Sequence, residues 1–370
     1  MRILHLDPDD MDNPLSGGGP VRTFEINRRL ALRHEITVLT PTFPRSTPRV
    51  VREGVQYERL GRRIGNHGSS HHVTYFFALP KAVMQREYDL LVEDFMPPVG
   101  PTFNPLLTRR PVIGSVQWYF ARRLSREFKI PFHLGQNIGT RLYPSLVVLT
   151  DSMKRKLQAV APKSTIEAIP NGVDESLFRL SAYPGDVILF LGRIDIRQKG
   201  IDLLLRAYAA IPAGERLLLY VVGSGADLPG VENLVRELNL GSDVRLIGRV
   251  DIKQRLRLLE TCRFVCVPSR EETFGMVITE ACAAAKPVIY FDLAPMNEVA
   301  SGAGCIAVPA FDLDQYTKAM RSLIATPNDG LANRGLSCRQ RVLGYRWDEV
   351  AAHQERFYLG ALERFRAKQR

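Results

Sequence analysis

Long apolar runs are missing from this 370-residue chain. The clearest aliphatic stretch, Leu217 to Val222, falls far short of the roughly 18 residues that a membrane-spanning helix needs. A secretory leader is not legible either. The opening MRILHLDPDD has one basic residue, a very short apolar stretch and then acids, so a cytoplasmic protein is expected. Cysteine is scarce and odd in number: Cys262, Cys266, Cys282, Cys305 and Cys338, without Cys/His ligand spacing. A disulfide scaffold is excluded and no zinc site is expected; Cys262 and Cys266 flank an apolar segment and read as buried free thiols. Several catalytic signatures are absent as well. There is no GxxxxGK[ST], no GxSxG, and His71-His72 does not sit in an HExxH frame.

What remains is the profile of a globular protein, with 45% hydrophobic, 24% charged and 8% aromatic residues. The length corresponds to roughly two and a half domains. Net charge is +11, and arginine supplies most of the positive charge. Residues 101–150 hold seven basic residues and one acid, Glu127. Such a segment suits an anionic lipid surface or a phosphorylated substrate, and equally a plain solvated face. Neither an RNA-binding signature nor a zinc finger accompanies it, so nucleic acid is not the expected partner.

Strand and helix patterns alternate along the chain. Ile3 to Leu6 reads as a strand, followed by the turn Ser16-Gly17-Gly18-Gly19-Pro20, a helix from Val21 to about Arg33, and the strand Glu35 to Thr40. Further strands read at Leu90–Glu93, Val112–Val116 and Leu146–Thr150. A second series follows: strands at Val187–Leu191, Arg216–Val222, Val244–Ile247, Arg263–Val267 and Pro287–Phe291, with helices at Gly200–Ala210, Val231–Leu238, Ile252–Glu260 and Phe274–Ala284. Short apolar strands in such alternation predict parallel sheets buried on both faces. Turn chemistry between Pro170 and Pro184 marks a boundary. The expected organisation is an α/β chain of two doubly wound domains, residues 1–178 and 179–346, with a helical tail at 347–370 and a ligand cleft between the domains.

Four segments carry candidate chemistry. In Pro268-Ser269-Arg270-Glu271-Glu272-Thr273-Phe274-Gly275-Met276-Val277-Ile278-Thr279-Glu280-Ala281, a strand end leads into a helix whose first turn is expected at Phe274–Val277. Unpaired N–H groups and the helix dipole there suit a diphosphate. Glu272 falls just outside that helix and Glu280 about two turns along it. They read as two acceptors gripping opposite ends of an extended ligand such as a nucleotide sugar, or else as solvated acids on a capped helix. In Leu191-Gly192-Arg193-Ile194-Asp195-Ile196-Arg197-Gln198-Lys199-Gly200, Arg193 and Lys199 would sit at the carboxyl edge of the sheet and neutralise a diphosphate, or remain surface cations. Val221-Val222-Gly223-Ser224-Gly225 lacks the third glycine of a dinucleotide fingerprint and reads as a tight turn. Gly18 and Gly19 either let backbone approach a phosphate or form a plain turn. The Asp-x-Asp pairs Asp7/Asp9 and Asp312/Asp314 are not needed as metal ligands; the latter reads as a helix start.

Together these segments resemble the GT-B glycosyltransferases of family four, the group 1 type. PSREETFGMVITEA resembles the family's E-x7-E motif and LGRIDIRQKG its Arg/Lys diphosphate motif. IPNGVDESLF, VRLIGRV, SGGGP and YRWDEVA resemble the interdomain segment, the base-binding strand end, the glycine loop and the terminal helix that returns to the first domain.

The resemblance implies retaining transfer of a sugar from a nucleoside diphosphate sugar, UDP- or GDP-linked, to a hydroxyl of an envelope glycan, glycolipid or small natural product. It implies no further cofactor and no metal. Arg193 and Lys199 would hold the diphosphate, Phe274, Gly275, Met276 and Val277 would offer it backbone N–H groups, and Glu280 would bind ribose. Glu272 would hold the donor sugar, Arg249 and Val250 would lie beside the base, and Gly18 and Gly19 would approach the donor.

One departure stands out. Gln117 occupies the place where family members often carry a histidine. It can position a sugar by hydrogen bonds but cannot exchange a proton near neutral pH. His5, His133 and Asp94 are the other candidates nearby. The alternatives are a non-catalytic or altered nucleotide-sugar binder, and a Rossmann oxidoreductase or epimerase, which would need a complete glycine fingerprint. The acceptor is expected to be anionic or lipid-linked, with peripheral contact to the inner membrane face through residues 101–150.

Overall fold

The apolar runs pair into two separate sheets. The computed structural model describes residues 1–13, 18–62, 70–95, 100–117, 119, 121–302 and 304–369. It divides into two units, Met1–Asn171 with Trp347–Arg370, and Gly172–Arg346.

In the first unit the elements run β1 (Arg2–Leu6), α1 (Gly19–Leu30), β2 (Glu35–Pro41), β3 (Arg49–Arg52), β4 (Val55–Leu60), α2 (Ser70–Gln85), β5 (Leu90–Asp94), β6 (Val112–Val116), α3 (Ala121–Phe128), α4 (Phe132–Thr140), β7 (Ser145–Val148), α5 (Asp151–Val160) and β8 (Thr165–Ala168). The sheet order is β3-β4-β2-β1-β5-β6-β7-β8. Its pairings are parallel except that between β3 and β4, which is antiparallel. Alternate residues feed opposite faces, as a strand demands. Leu4 and Leu6 join Tyr75, Leu79 and Leu157 in one core. Ile3 joins Ile26, Leu30, Trp347, Val350 and Phe357 in the other.

The second unit contains β9 (Val187–Leu191), α6 (Ile196–Lys199), α7 (Ile201–Ala209), β10 (Leu218–Val222), α8 (Leu228–Glu237), β11 (Val244–Gly248), α9 (Ile252–Thr261), β12 (Cys262–Val267), α10 (Met276–Ala283), β13 (Val288–Phe291), α11 (Met296–Ala300), β14 (Ile306–Val308), α12 (Leu313–Ala325) and α13 (Asn328–Arg341). Its six strands are parallel, in the order β11-β10-β9-β12-β13-β14. Asp312 starts α12 by accepting the Gln315 N–H, so its acidic pair is a cap.

The tail is α14 (Trp347–Gln369), and it packs on α1 in the first unit. Arg29 donates to Asp348 at 2.5 Å, while Arg33 and His34 both reach Glu355.

Candidate functional site

At the carboxyl edge of the second sheet, β9 ends and Gly192-Arg193 leave it. Asp195 caps α6 by accepting the Gln198 N–H at 2.8 Å. Gly200 then separates α6 from α7 in left-handed backbone, φ 64°. A Cβ at Gly200 would stand 2.1 Å from the Pro268 carbonyl, so only glycine lets this corner lie against the end of β12.

That close approach delivers Lys199 to Glu272. Its Nζ donates to Oε1 at 2.6 Å, and the Ser269 hydroxyl donates to the same oxygen at 2.8 Å. Both charged side chains keep a window to solvent, at 17% and 10% exposure. The loop that carries Glu272 is pinned from below, because Arg270 grips Asp202 with two hydrogen bonds of 2.8 Å and the Ile196 carbonyl with a third. Arg193 is exposed and touches the Gln198 side chain at 3.3 Å. The Gly223-Ser224-Gly225 turn has a packing role: Cβ atoms there would meet the carbonyls of Gly192 and Ile194 at 1.7 and 2.0 Å.

The helix after β12 starts later than its sequence pattern suggests. α10 begins at Met276, with Gly275 as its N-cap. Phe274 is therefore not in the first turn; its ring is buried and packs on Tyr345, 6.1 Å between centroids. The aromatic ring gains more from that core than from opening a helix. The helical N–H groups that lack a carbonyl four residues back start at Met276 and Val277. Glu280 is correspondingly about one turn into α10, not two. It is buried and forms an ion pair with Arg255 of α9. Burial pushes its carboxyl above the ordinary value, against the pull of Arg255. Each glutamate thus has its own cation. Arg249 and Val250 lie between β11 and the capping box that starts α9, Arg249 exposed and Val250 half-buried.

The first unit gathers a second polar cluster, at the carboxyl ends of β1, β5 and β6. Asp94 accepts from His5 Nε2 at 3.2 Å, from the Thr23 hydroxyl at 3.0 Å and from the Gln117 amide at 3.2 Å. The Asn27 amide is hydrogen-bonded to His5 Nδ1 at 2.9 Å. Gln117 spends its amide NH2 on Asp94, which leaves Oε1 beside Gly19, 3.6 Å from where a Cβ would stand. Burial pushes the Asp94 carboxyl up, but the hydrogen bond and charge of His5 outweigh it and hold the pKa below the ordinary value. For His5 burial works against the imidazolium, and Asp94 prevails, raising the pKa. Asp7, also buried, is pushed up to about 8 by burial and by Asp94. Arg22 donates to the Pro170 carbonyl, Asn171 and Gln354, and burial lowers its pKa to about 10.

Of the three alternative proton carriers, His5 and Asp94 therefore bond to each other. His133 lies apart on α4, bonded to Ser125, and lines a cavity of about 450 Å³ with Arg122, Arg126 and Lys129. Gly18 is exposed at the start of α1. Gly17, Trp118 and the 66–69 stretch of the loop from Asn66 to Tyr75 lie outside the described residues. Sequence reading left out Ser269, Arg270, Thr23, Arg22 and Arg255. For Arg255 there was no signal, since nothing in the sequence sets it apart from Arg257, the other arginine on α9. The acid at the end of Leu90-Leu91-Val92-Glu93-Asp94 was a signal, because strand ends at that edge are where α/β sheets place ligands.

Two doubly wound units of this kind, the second with cations and a helix start at its carboxyl edge, define the GT-B class of α/β enzymes. Comparison bears this out. A sucrose-phosphate synthase from Thermosynechococcus elongatus superposes with a TM-score of 0.79 at 20% identity, covering 97% of this chain and 98% of that one. Anabaena HepE, solved with UDP and glucose, superposes at 0.74 with 15% identity, covering 96% and 98%.

Residues 16–177 match Glycosyltransferase Family 4 and residues 179–340 match Glycosyl transferases group 1. The phosphatidyl-myo-inositol mannosyltransferase of Mycolicibacterium smegmatis is 27% identical over 382 residues, 97% of this chain and 93% of the relative. The chain belongs to the family-four, group 1 glycosyltransferases and is an enzyme of the transferase class.

Proposed function

We propose that the chain moves a sugar, with retention, from a UDP- or GDP-sugar to a hydroxyl on an anionic or lipid-linked acceptor. The observation that carries this reading is the meeting of Lys199 and Glu272 at 2.6 Å, in a pair that keeps some access to solvent. A cation already paired with a carboxylate can exchange it for a phosphate. The diphosphate would take Lys199 and Arg193, with the N–H groups of Met276 and Val277 and the Gly275 turn beside them. Glu272, released, would accept from donor-sugar hydroxyls. Glu280 would accept from ribose, and Arg249 and Val250 would flank the base. Gly18 and Gly19 would bring backbone to the donor, and Gln117 would present its carbonyl to a sugar hydroxyl.

In the transfer, the bond from C1 to the phosphate oxygen breaks and its electron pair leaves with the diphosphate. The acceptor oxygen bonds C1 on the same face, and a phosphate oxygen takes the acceptor's proton. Arg193, Lys199 and the helix start would stabilise the charge that develops on the leaving group. No metal is required for that charge balance, so EDTA should leave kcat unchanged; metal-dependent turnover would overturn this part.

The acceptor side rests on α3 and α4. Arg122, Arg126, Lys129 and His133 line one cavity, and Phe128, Ile130, Leu134 and Ile138 are more than half exposed close by in sequence. Basic and apolar groups so mixed suit an anionic lipid surface. The mycobacterial relative is named for transfer to phosphatidyl-myo-inositol, which fits such an acceptor. No helix among the described residues is long and apolar enough to cross a membrane.

A thermal-shift panel of UDP-, GDP-, ADP- and TDP-sugars tests the donor, since a ligand of the native state raises the melting point. NMR of the product's anomeric centre tests retention. A chain that binds donor yet neither transfers nor hydrolyses it would favour the second reading, a non-catalytic binder, to which Gln117 points because it cannot exchange a proton.

A further inference from the structure

Three of the five cysteines converge, although nothing in their spacing announces it. Cys282 lies near the end of α10, Cys338 in the last turn of α13, and Cys305 just before β14. The Cys305 sulfur is 3.7 Å from that of Cys282 and 3.4 Å from that of Cys338, and all three lie within 4.8 Å of one another. Among the described residues this is the one group of three or more His, Cys, Asp or Glu side chains whose ligand atoms meet so closely. The other two cysteines show the ordinary alternative, for Cys262 gives its thiol to the Leu259 carbonyl.

We propose that Cys282, Cys305 and Cys338 form a site for a soft d10 metal ion, zinc(II) or copper(I), held by three thiolates. The spacing fits: sulfurs about 2.3 Å from a tetrahedral zinc stand about 3.7 Å apart. Thiolate sets select zinc and copper(I) over magnesium, calcium or manganese. Copper(I) is satisfied by three sulfurs. Zinc takes a fourth ligand, and Cys305, half-buried where its two partners are fully buried, leaves a side from which water reaches it.

Three thiolates around a divalent ion carry one net negative charge. Arg334, one turn before Cys338, donates to the Gly304 carbonyl at 3.1 Å and brings a guanidinium to the same corner. Each S–H bond is exchanged for an S–metal bond and its proton leaves to solvent.

The ion would fasten α10 to α13 and to the approach of β14. These elements already lie close, since a Cβ at Gly335 of α13 would meet the Ala285 carbonyl at 2.0 Å. It would brace the helix whose opposite end starts at Gly275 without touching the donor residues, so metal loading should change stability and leave turnover alone. This inference does not depend on the donor assignment.

The test uses the full chain, purified reduced and stripped with a chelator under argon. Cobalt(II) serves as the optical probe, with zinc and copper(I) titrated against coloured chelators selective for each. The expected result is a thiolate-to-cobalt charge-transfer band that saturates near one ion per chain, protection of the three thiols from alkylation, and a melting point that rises with metal concentration. Cys338→Ser and Cys305→Ser should each weaken binding by at least about 10–100-fold. Cys266→Ser, outside the cluster, should not. If Cys338→Ser fails to fold, the half-buried Cys305 carries the comparison. The chelator competition decides between the two ions, and uptake of either supports the site. Absence of the band and of protection in the reduced chain overturns it, as does binding undiminished in both variants. A Cys305–Cys338 disulfide forming in air while the reduced chain takes up no metal overturns it equally.

Discussion

The carboxyl edges of the two sheets both gather polar groups and treat them in opposite ways. In the first unit they are sealed in. His5, Asp94, Thr23 and Arg22 are buried and spend their hydrogen bonds on one another or on nearby backbone and amides. In the second, Lys199 and Glu272 are paired but keep access to water, and Arg193 is exposed. A sealed network fixes geometry, here the angle at which Gln117 stands beside Gly19. An accessible ion pair is a standing offer to a polyanion, because the cation changes partners without being desolvated afresh. The contrast teaches that the second edge holds groups able to change partners and the first edge groups that are not.

The sharpest way to break this contrast is to open the sealed edge. Asp94→Leu strands His5 in the interior, and removing one partner of a buried charged pair costs about 3–5 kcal/mol. Denaturant unfolding should show that loss. A change under about 1 kcal/mol, the scale of an exposed pair, would mean the cluster is solvated.

Next comes the exchangeable edge. Lys199→Ala should lower kcat by about a hundredfold or more, the effect of deleting a comparable electrostatic donor, with little change in stability. Unchanged turnover at saturating donor would remove Lys199 from the mechanism.

A further test separates the edges by pH. Asp7 is raised to about 8, chiefly by burial. The folded chain therefore binds its proton more tightly than the unfolded chain, whose value is about 3.9. Stability that is present below about pH 4 is lost progressively as pH rises through about 8. Asp7→Asn should remove that loss, so its melting point should exceed the native one above about pH 8 and converge with it near pH 4. Each kcal/mol relieved is worth about 2–4 °C in a unit of this size. Parallel curves across that range would contradict the sealed environment.

The smallest effect is expected at the exposed pair Arg321–Glu215, 49% and 46% accessible. Arg321→Ala should cost no more than about 1 kcal/mol.

Periodicity made most of the fold legible. Val112–Val116 and Val187–Leu191 were bounded correctly because buried parallel strands are short apolar blocks between turn residues. The hairpin of β3 and β4 was not read, since Arg49-Val50-Val51-Arg52 is an edge strand with Arg49 and Val51 exposed and Val50 and Arg52 only half-buried, so it offers no buried apolar block. The start of α10 was misplaced by two residues because Phe274 joins the core through Tyr345, a contact 71 positions distant that no local pattern encodes. Lys199 and Glu272 could each be nominated from their own segments. Their meeting depends on Gly200 lying against Pro268, which is a tertiary fact. His5, Asp94 and Gln117 could likewise be nominated singly, but their joining, like the cysteine trio, was illegible because the members come from three or more elements.

The central claim is that Lys199 leaves Glu272 for a diphosphate. Calorimetric titration of UDP, GDP and their sugars into the native chain, Lys199→Ala and Glu272→Gln tests it most directly. The account predicts that the native chain binds one of these donors and that Lys199→Ala weakens the free diphosphate by tenfold or more. Glu272→Gln should bind the free diphosphate at least as tightly as native while losing the preference for the sugar-bearing form. Equal diphosphate affinity in the native chain and Lys199→Ala, or no binding of any activated sugar, would contradict it.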